Sequence, residues 1–247
     1  MKLNLIISAL AVITLASCKT ECILPIEETN SKLFPDNAKI LLLGDSRVEG
    51  NRPDFESYRY ELWKNLVDTD WTFDLIGYET DPASYDTYKG LTFDPDHMGF
   101  GGYMTGDIHS IVKRDIGNDF VPNIVLLGIG GNDLLGEVSA NKAIKNIKKT
   151  IEILQCNNPN VIIFIEQIAP ARSDIMTEDK MRLLEDFTGQ IISLATEQSN
   201  VNSFIIPVDM QTGWTDDYMV DESHYNTEGA AFIADRYSTA MDAFFEN

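Results

Sequence analysis

Positive charge is scarce in this sequence. Its 247 residues include 19 Lys and Arg against 39 Asp and Glu, for a formal net charge of −20. Such an excess of carboxylates repels phosphate groups, which argues against nucleic acid or anionic lipid as a partner. It suits a neutral or cationic ligand. The hydrophobic fraction of 44% is ordinary for a globular protein and is enough to bury a core.

Cysteine and histidine are also scarce, with three residues of each. Cys22 and Cys156 lie far apart in the sequence, so their spacing indicates neither a disulfide framework nor a metal site. Cys156 ends an apolar helical stretch. We therefore expect a buried free thiol there, with pairing to Cys22 left open.

The sequence contains no apolar run long enough to span a membrane, and the run in residues 5–15 is too short. That run follows a basic start at Lys2 and precedes Leu15-Ala16-Ser17-Cys18. The segment resembles the lipobox of bacterial lipoproteins, although an ordinary secretory signal is the alternative. The resemblance implies a signal peptide over residues 1–17 and a lipid on Cys18. It places the protein in the bacterial cell envelope, facing the periplasm or the cell surface.

Residues 18–36 are polar and predict a tether, and residues 37–247 predict one domain without linker or repeat. Short apolar runs alternate there with amphipathic stretches. The predicted strands are 40–43, 72–78, 124–127, 161–165 and 204–206. The predicted helices are 58–67, 108–116, 140–154, 178–198 and 227–245. Continuous apolar strands separated by helices predict an α/β fold, a three-layer α/β/α sandwich around a five-stranded parallel sheet of flavodoxin-like form.

The longest connection runs from Glu79 to Tyr103 and is rich in aromatic residues and aspartate. Loops of this length in compact domains are usually functional or disordered, and the aromatic residues argue against disorder. These rings either line a sugar site or pack the loop onto the domain. Four aspartates lie in the loop, but their spacing fits no EF-hand, so solvated surface charge is favoured over a calcium site. They are Asp81, Asp86, Asp94 and Asp96.

Four short segments together supply the groups that acyl transfer through a serine ester requires. They are Gly44-Asp45-Ser46, Gly99-Phe100-Gly101-Gly102, Gly131-Asn132-Asp133 and Asp221-Glu222-Ser223-His224. Each segment alone is compatible with an ordinary turn or helix cap. Their combination indicates a serine hydrolase, although Ser46 is not in a Gly-x-Ser-x-Gly elbow.

We expect Ser46 to be the nucleophile because it follows the first strand, and ligands bind beyond the carboxyl ends of parallel strands. Asp221 and His224 are three residues apart, so one turn lets the carboxylate reach one imidazole nitrogen. The other nitrogen is then free to accept the serine proton. The expected oxyanion donors are the backbone N–H groups of Ser46 and Gly102 and the side-chain amide of Asn132.

With these residues the chain resembles the SGNH, or GDSL, hydrolases over roughly residues 39–230. The family's serine, glycine, asparagine and histidine correspond to Ser46, Gly102, Asn132 and His224, and its aspartate to Asp221. The resemblance implies a flavodoxin-like sandwich and an esterase, lipase, thioesterase or carbohydrate O-deacetylase that needs no metal or organic cofactor.

Finer similarity points to the branch near carbohydrate esterase family 3, which is associated with acetyl xylan esterases. It rests on residues 44–50, 57–63 and 94–103. Arg47 and Met98 depart from what is frequent in that branch. Together with Tyr103 they are the candidate substrate contacts, although Arg47 could equally form a surface ion pair.

The sequence therefore predicts a serine esterase that removes acetyl or other short acyl groups from a carbohydrate. One alternative is a lipid esterase, such as a lysophospholipase or thioesterase. The loop over residues 79–103 has no long apolar lid, which argues against it. The other alternative is a non-catalytic glycan-binding protein on the surface, and the complete set of site residues argues against that.

Overall fold

The computed structural model describes residues 33–117 and 120–245 of the chain. The main strands are separated by helices over this range, as the apolar pattern predicts. The strands are β1 (Ala38–Gly44), β2 (Phe73–Ile76), β3 (Glu79–Thr80), β4 (Asp96–Gly99), β5 (Ile124–Gly128), β6 (Ile162–Gln167) and β7 (Ile205–Asp209). The helices are α1 (Ser46–Glu49), α2 (Arg59–Val67), α3 (Thr105–Asp115), α4 (Gly131–Leu135), α5 (Ala140–Asn157), α6 (Glu178–Gln198) and α7 (Thr227–Phe245).

The central sheet is mixed, with five strands in parallel and two short additions. The parallel strands lie in the order β2-β1-β5-β6-β7. Beyond the end of β2, β4 pairs in parallel with the last residues of β1, and β3 pairs antiparallel with β4.

The predicted sheet of five parallel strands is therefore correct for its main part but wrong in strand number and in being purely parallel. The extra strands β3 and β4 lie in the long connection over residues 79–103. They have two and four residues and carry polar side chains such as Glu79 and Asp96. Such segments show no apolar periodicity, so the sequence does not reveal them as strands.

Helices cover both faces of the sheet, which explains the continuous apolar strands. In β1, Leu41 and Leu43 pack into a core shared with α3, α5 and α6. Their neighbours Ile40 and Leu42 pack into a second core shared with α2 and α7. Successive side chains of a strand point to opposite faces. Since helices cover both faces, both sets are fully buried. The predicted three-layer sandwich is confirmed.

The segments predicted to be a signal peptide (1–17) and most of a tether (18–36), with Cys18 and Cys22, lie outside the described residues. The lipid anchor therefore stays a prediction. In the part of the chain that the structure describes, no helix combines the length and the apolar character needed to cross a membrane. Cys156 is exposed on the last turn of α5 and is disulfide-bonded. The expectation of a buried free thiol is therefore wrong. The side chain is exposed because position 156 lies on the side of the helix that faces away from the sheet.

Candidate functional site

Ser46 lies at the carboxyl end of the central strand β1, as the first residue of α1. The preceding Gly44 allows β1 and β5 to approach closely, because a Cβ atom there would lie 2.0 Å from the Gly128 carbonyl oxygen. Asp45 then caps α1, with its carboxylate accepting a hydrogen bond from the Arg47 backbone N–H at 3.0 Å. The local sequence thus fixes where the hydroxyl of Ser46 lies.

The structure brings Ser46, His224 and Asp221 together as predicted. His224 Nε2 lies 2.9 Å from Ser46 Oγ, and His224 Nδ1 lies 2.8 Å from Asp221 Oδ2. The other carboxylate oxygen of Asp221 accepts the backbone N–H groups of Ser223 and His224 at 2.8 and 2.7 Å. Residues 221–224 therefore form the single turn that their spacing indicates.

These hydrogen bonds keep Asp221 ionised. Partial burial acts to raise the pKa of Asp221, but the hydrogen bonds from the imidazole and the two backbone amides outweigh it and hold the pKa below its ordinary value. An ionised Asp221 orients the imidazole of His224 so that Nε2 faces the serine. It also stabilises positive charge on the ring.

The loop that carries His224 is held against α1 by Arg47. The guanidinium donates to the backbone carbonyl oxygens of Ser223 at 2.7 Å, Ala169 at 2.6 Å and Pro170 at 3.3 Å. It also lies over the ring of Tyr225, 5.1 Å from its centroid. Three of the five N–H donors of Arg47 are thus engaged by backbone carbonyl oxygens. The guanidinium acts as a brace between the nucleophile helix and two loops, and not as the alternative surface ion pair. It also lines the cavity beside Ser46, so the predicted substrate contact stays a prediction.

Phe55 forms a second contact with the histidine that the sequence does not reveal. Its ring stacks on the imidazole of His224, with centroids 3.9 Å apart and planes inclined by 16°. The two residues are distant in sequence, and no motif links them. Phe55 therefore restrains the plane of the His224 imidazole through this stacking contact.

Three N–H donors face the same cleft as Ser46. Gly102 and Asn132 line it together with the serine. Within residues 33–117 and 120–245, the backbone N–H groups of Ser46 and Gly102 donate to no protein acceptor. The amide of Asn132 gives one hydrogen to the Tyr103 carbonyl oxygen at 2.9 Å, which fixes its orientation. The three residues predicted to supply oxyanion donors thus line one cleft, and their role as donors stays a prediction.

Asp133, the residue after Asn132, supports this arrangement from the interior. Its buried carboxylate accepts the backbone N–H of Thr105 at 2.8 Å and the Thr105 hydroxyl at 2.7 Å. These bonds tie α4 to the first residue of α3. The Gly131-Asn132-Asp133 segment therefore supplies a donor and also the anchor that holds it.

The other two predicted substrate contacts have different outcomes. Met98 is fully buried in the core between β4 and the helices, so the structure contradicts a substrate contact there. As a strand residue paired with Leu43, it points into the sandwich and away from the cleft. Tyr103 is 38% exposed at the edge of the site and stacks on Phe100, with centroids 5.2 Å apart.

Two cavities of opposite character meet at Ser46. One has a volume of about 30 Å³ and is lined mainly by apolar side chains from α4, α6 and the loop after β6, together with polar groups such as Arg47 and Lys180. The apolar side chains include Leu134, Ile168, Ala171, Met176 and Leu184. The other is an open cleft of about 390 Å³. Its lining includes Glu49, Asn51, Phe55, Gly102 and His224.

Two carboxyl groups lie buried behind the nucleophile. Burial raises the pKa of Asp45 to about 6, although nearby Arg47 opposes the shift. Burial likewise raises the pKa of Glu166 to about 7, and its carboxylate accepts the hydroxyl of Tyr237 at 2.8 Å. The sequence signal for Glu166 is a charged residue inside an apolar strand. Its space comes from Gly128, where a Cβ atom would lie 2.6 Å from Glu166 Oε1.

Among the described residues, no group of three or more His, Cys, Asp or Glu side chains is placed to hold a metal ion. Two aspartates of the calcium alternative have protein partners. Asp81 pairs with Arg59 at 3.0 Å and accepts the Tyr85 hydroxyl. Asp94 accepts the backbone N–H of Leu75 at 3.0 Å.

An α/β/α sandwich that presents a serine, a histidine and an aspartate at the carboxyl edge of its sheet defines a class of hydrolases with a serine-centred site. The chain belongs more narrowly to the GDSL-like Lipase/Acylhydrolase family, whose sequence profile matches residues 42–232.

Solved structures share this fold. A carbohydrate esterase family 3 protein from Talaromyces cellulolyticus superposes with a TM-score of 0.72 at 24% identity, covering 85% of this chain and 98% of that one. A family 3 carbohydrate esterase from Clostridium thermocellum gives 0.68 at 24% identity, covering 85% and 97%. At this identity the likeness concerns the fold.

A curated relative covers part of the chain. The multidomain esterase of Ruminococcus flavefaciens is 30% identical over 138 residues, which is 49% of this chain. The matching segment is 18% of that protein's length.

Proposed function

We propose that the protein is a serine esterase that removes acetyl or other short acyl groups from a carbohydrate through an acyl-enzyme on Ser46. The observation that carries the proposal is the hydrogen-bonded series from Ser46 through His224 to Asp221, with contacts of 2.9 and 2.8 Å. It lies in the cleft that is also lined by Gly102 and Asn132, the residues that with Ser46 would supply oxyanion donors. Ester hydrolysis through a serine requires this combination of groups.

In the first half-reaction, Ser46 Oγ attacks the ester carbonyl while His224 Nε2 accepts the hydroxyl proton. The carbonyl oxygen becomes an oxyanion, which accepts hydrogen bonds from the backbone N–H groups of Ser46 and Gly102 and from the amide of Asn132. Asp221 stabilises the imidazolium. Collapse of the intermediate breaks the bond to the alcohol, which leaves with the proton from His224.

In the second half-reaction, water attacks the acyl group on Ser46 and gives its proton to His224 Nε2. The oxyanion forms again beside the same donors. Its collapse releases the carboxylic acid and returns the proton to Ser46 Oγ. Neither half-reaction as proposed requires a metal ion or an organic cofactor.

The small apolar cavity supports a short acyl group. Its volume of about 30 Å³ beside Ser46 suits a methyl-sized group and does not suit a long acyl chain. This observation favours a short-chain esterase over the lipid esterase alternative. The similarity in fold to family 3 carbohydrate esterases supports a carbohydrate as the alcohol part.

Acetate release from acetylated xylan tests the proposal. We expect release by the wild type and a loss of roughly 10⁴- to 10⁶-fold in kcat for Ser46→Ala, since the nucleophile is removed. Ser110→Ala, an exposed serine on α3, is the matched control and should retain full activity. Near-full activity of Ser46→Ala would refute the assignment of the nucleophile.

A series of 4-nitrophenyl esters from acetate to palmitate separates the alternatives. Preference for acetate supports the short-chain esterase, and preference for palmitate supports the lipid esterase. If the wild type cleaves none of these esters yet binds xylan, the glycan-binding alternative replaces the proposal.

A further inference from the structure

Glu49 places a carboxylate in the open polar cleft beside the nucleophile. It follows Ser46 by three residues on the single turn of α1, so the two side chains lie on the same side of the helix. Both residues line the cleft of about 390 Å³. An ideal Cβ atom on Gly101 would lie 2.6 Å from Glu49 Oε2, so the carboxylate contacts the loop that carries Gly102.

This carboxylate has no cationic partner among residues 33–117 and 120–245, where none of the ion pairs within 4.0 Å involves Glu49. The nearby Arg59 donates instead to the backbone oxygen of Glu49 at 2.7 Å and to the carboxylate of Asp81 at 3.0 Å. Partial burial raises the pKa of Glu49, while the Gly101 backbone N–H opposes the shift.

An unpaired carboxylate at this place is costly for the chemistry. The intermediate on Ser46 carries a negative oxygen, and a second negative charge lining the same cleft destabilises it unless hydrogen-bond donors surround the carboxylate. Among the described residues, the hydrogen-bond donor that lowers the pKa of Glu49 is the Gly101 backbone N–H, and Arg59 and His224 act on it through charge. We therefore look to the substrate for the remaining donors.

The surroundings of Glu49 match the alcohol part of a sugar ester. Ser46 lies between the cleft and the small apolar cavity, so an acyl group in that cavity leaves the alcohol in the cleft. The cleft also presents the ring of Phe55 and the exposed Asn51. A sugar offers hydroxyl donors to a carboxylate and a C–H face to an aromatic ring.

We propose that Glu49 is a specificity-determining residue that accepts hydrogen bonds from free hydroxyl groups next to the ester on a sugar. This inference rests on the proposed function and extends it to the pattern of acylation. A sugar with one acetyl group and free neighbouring hydroxyls satisfies Glu49. A fully acetylated sugar has no hydroxyl donor. It therefore displaces water from the Glu49 carboxylate without replacing the lost hydrogen bonds.

Two acetate esters of one sugar test the proposal. Kinetics are measured with a monoacetylated methyl β-xyloside and with the fully acetylated form of the same xyloside, and 4-nitrophenyl acetate serves as an ester without hydroxyl donors. We expect the wild type to prefer the monoacetylated sugar about 10- to 100-fold in kcat/KM, the effect of a hydrogen bond to a charged group. Glu49→Ala should abolish this preference, mainly through KM, and Glu49→Gln should keep part of it.

The control is Glu185→Gln, which removes the same charge from an exposed position on α6. It should match the wild type on all three esters. With 4-nitrophenyl acetate, whose alcohol offers no hydrogen-bond donor to position 49, the Glu49 variants should turn over at least as fast as the wild type, because removal of the charge relieves its repulsion of the oxyanion. An equal loss on all three esters, or an unchanged preference between the two sugars, would overturn the role of Glu49.

A binding measurement separates this proposal from the esterase proposal. Titration of Ser46→Ala with unacetylated methyl β-xyloside, followed by NMR, reports the cleft without turnover. We expect about tenfold weaker binding when Glu49→Gln is added to Ser46→Ala. If the wild type cleaves no ester but Glu49 still governs sugar binding, the esterase proposal fails alone. If binding is independent of Glu49, this inference fails.

Discussion

The nucleophile side and the histidine side of the site are held in different ways. Ser46 and Asn132 follow central strands, and their neighbours Asp45 and Asp133 are only 5% and 2% exposed. Asp221 lies in the irregular stretch between β7 and α7, and its side chain is 50% exposed. The core of the sandwich thus positions the nucleophile, whereas contacts across the surface position the base.

The histidine side depends on a few long-range contacts. Arg47 reaches the Ser223 carbonyl, and Phe55 stacks on the imidazole of His224. The backbone N–H of Glu56 also donates to the Tyr225 carbonyl oxygen at 2.9 Å. Changes on this side should therefore reduce activity more than stability, and changes beneath the nucleophile should do the reverse.

Among changes that separate the two sides, removal of the aspartate carboxylate should give the largest effect. We expect Asp221→Ala to lower kcat by roughly 10³-fold, less than the ~10⁴-fold loss known for a buried triad aspartate, because solvent partly replaces an exposed carboxylate. The midpoint of thermal unfolding should change little. Steady-state kinetics with 4-nitrophenyl acetate and a melting curve measure both quantities.

The exposed Asp217 lies in the same stretch of chain and supplies the control. Asp217→Ala should keep nearly full activity. If Asp221→Ala unfolds the protein instead of slowing it, the distinction between the two sides is wrong.

Replacement of the guanidinium brace should give an intermediate effect. Arg47→Lys keeps the charge but cannot reach three carbonyl oxygens at once, so we expect kcat to fall about 10- to 100-fold while KM changes little. Arg172→Lys is the matched control, since Arg172 makes a solvent-exposed pair with Asp174. A rise in KM without a fall in kcat would indicate that Arg47 contacts the substrate after all.

The difference between local segments and long-range contacts also decides which parts of the site the sequence reveals. Ser46, Asn132 and the 221–224 turn are local patterns at strand or helix ends, and their chemistry can be read from short segments. The five main strands and the long helices follow from apolar periodicity. In contrast, the brace from Arg47 to Ser223 spans 176 residues of sequence. Contacts of that kind depend on the packing of loops, for which a single sequence carries no periodic signal.

Met98 shows the opposite case, in which the sequence suggests a substrate contact that the structure contradicts. The resemblance to relatives places it in a motif near the site, but its position in β4 turns its side chain into the core. Backbone pairing with Leu43 sets that direction, and the pairing was hidden because β4 is short and partly polar. A residue can therefore belong to a site motif by sequence and support it only through packing.

The smallest expected effect concerns stability and its dependence on pH. It tests the buried carboxyl groups beneath the nucleophile. Burial raises the pKa of Glu166 from its ordinary value of 4.5 to about 7. The folded state thus binds more protons than the unfolded state between these values. The stabilisation from a protonated Glu166 is full below about pH 4.5 and is lost as the pH rises through 7.

Glu166→Gln removes this titration while keeping an oxygen that can accept the Tyr237 hydroxyl. Relative to the wild type, the variant should therefore gain stability between pH 5 and pH 8, by on the order of 2 kcal/mol. Urea unfolding at a series of pH values measures the difference, with the exposed Glu185→Gln as control. The pKa of Asp45 is also raised by burial, to about 6, so some pH dependence of stability should survive in the variant. Parallel stability curves for wild type and variant would show that Glu166 does not titrate in this range, which would refute the prediction that burial raises its pKa to about 7.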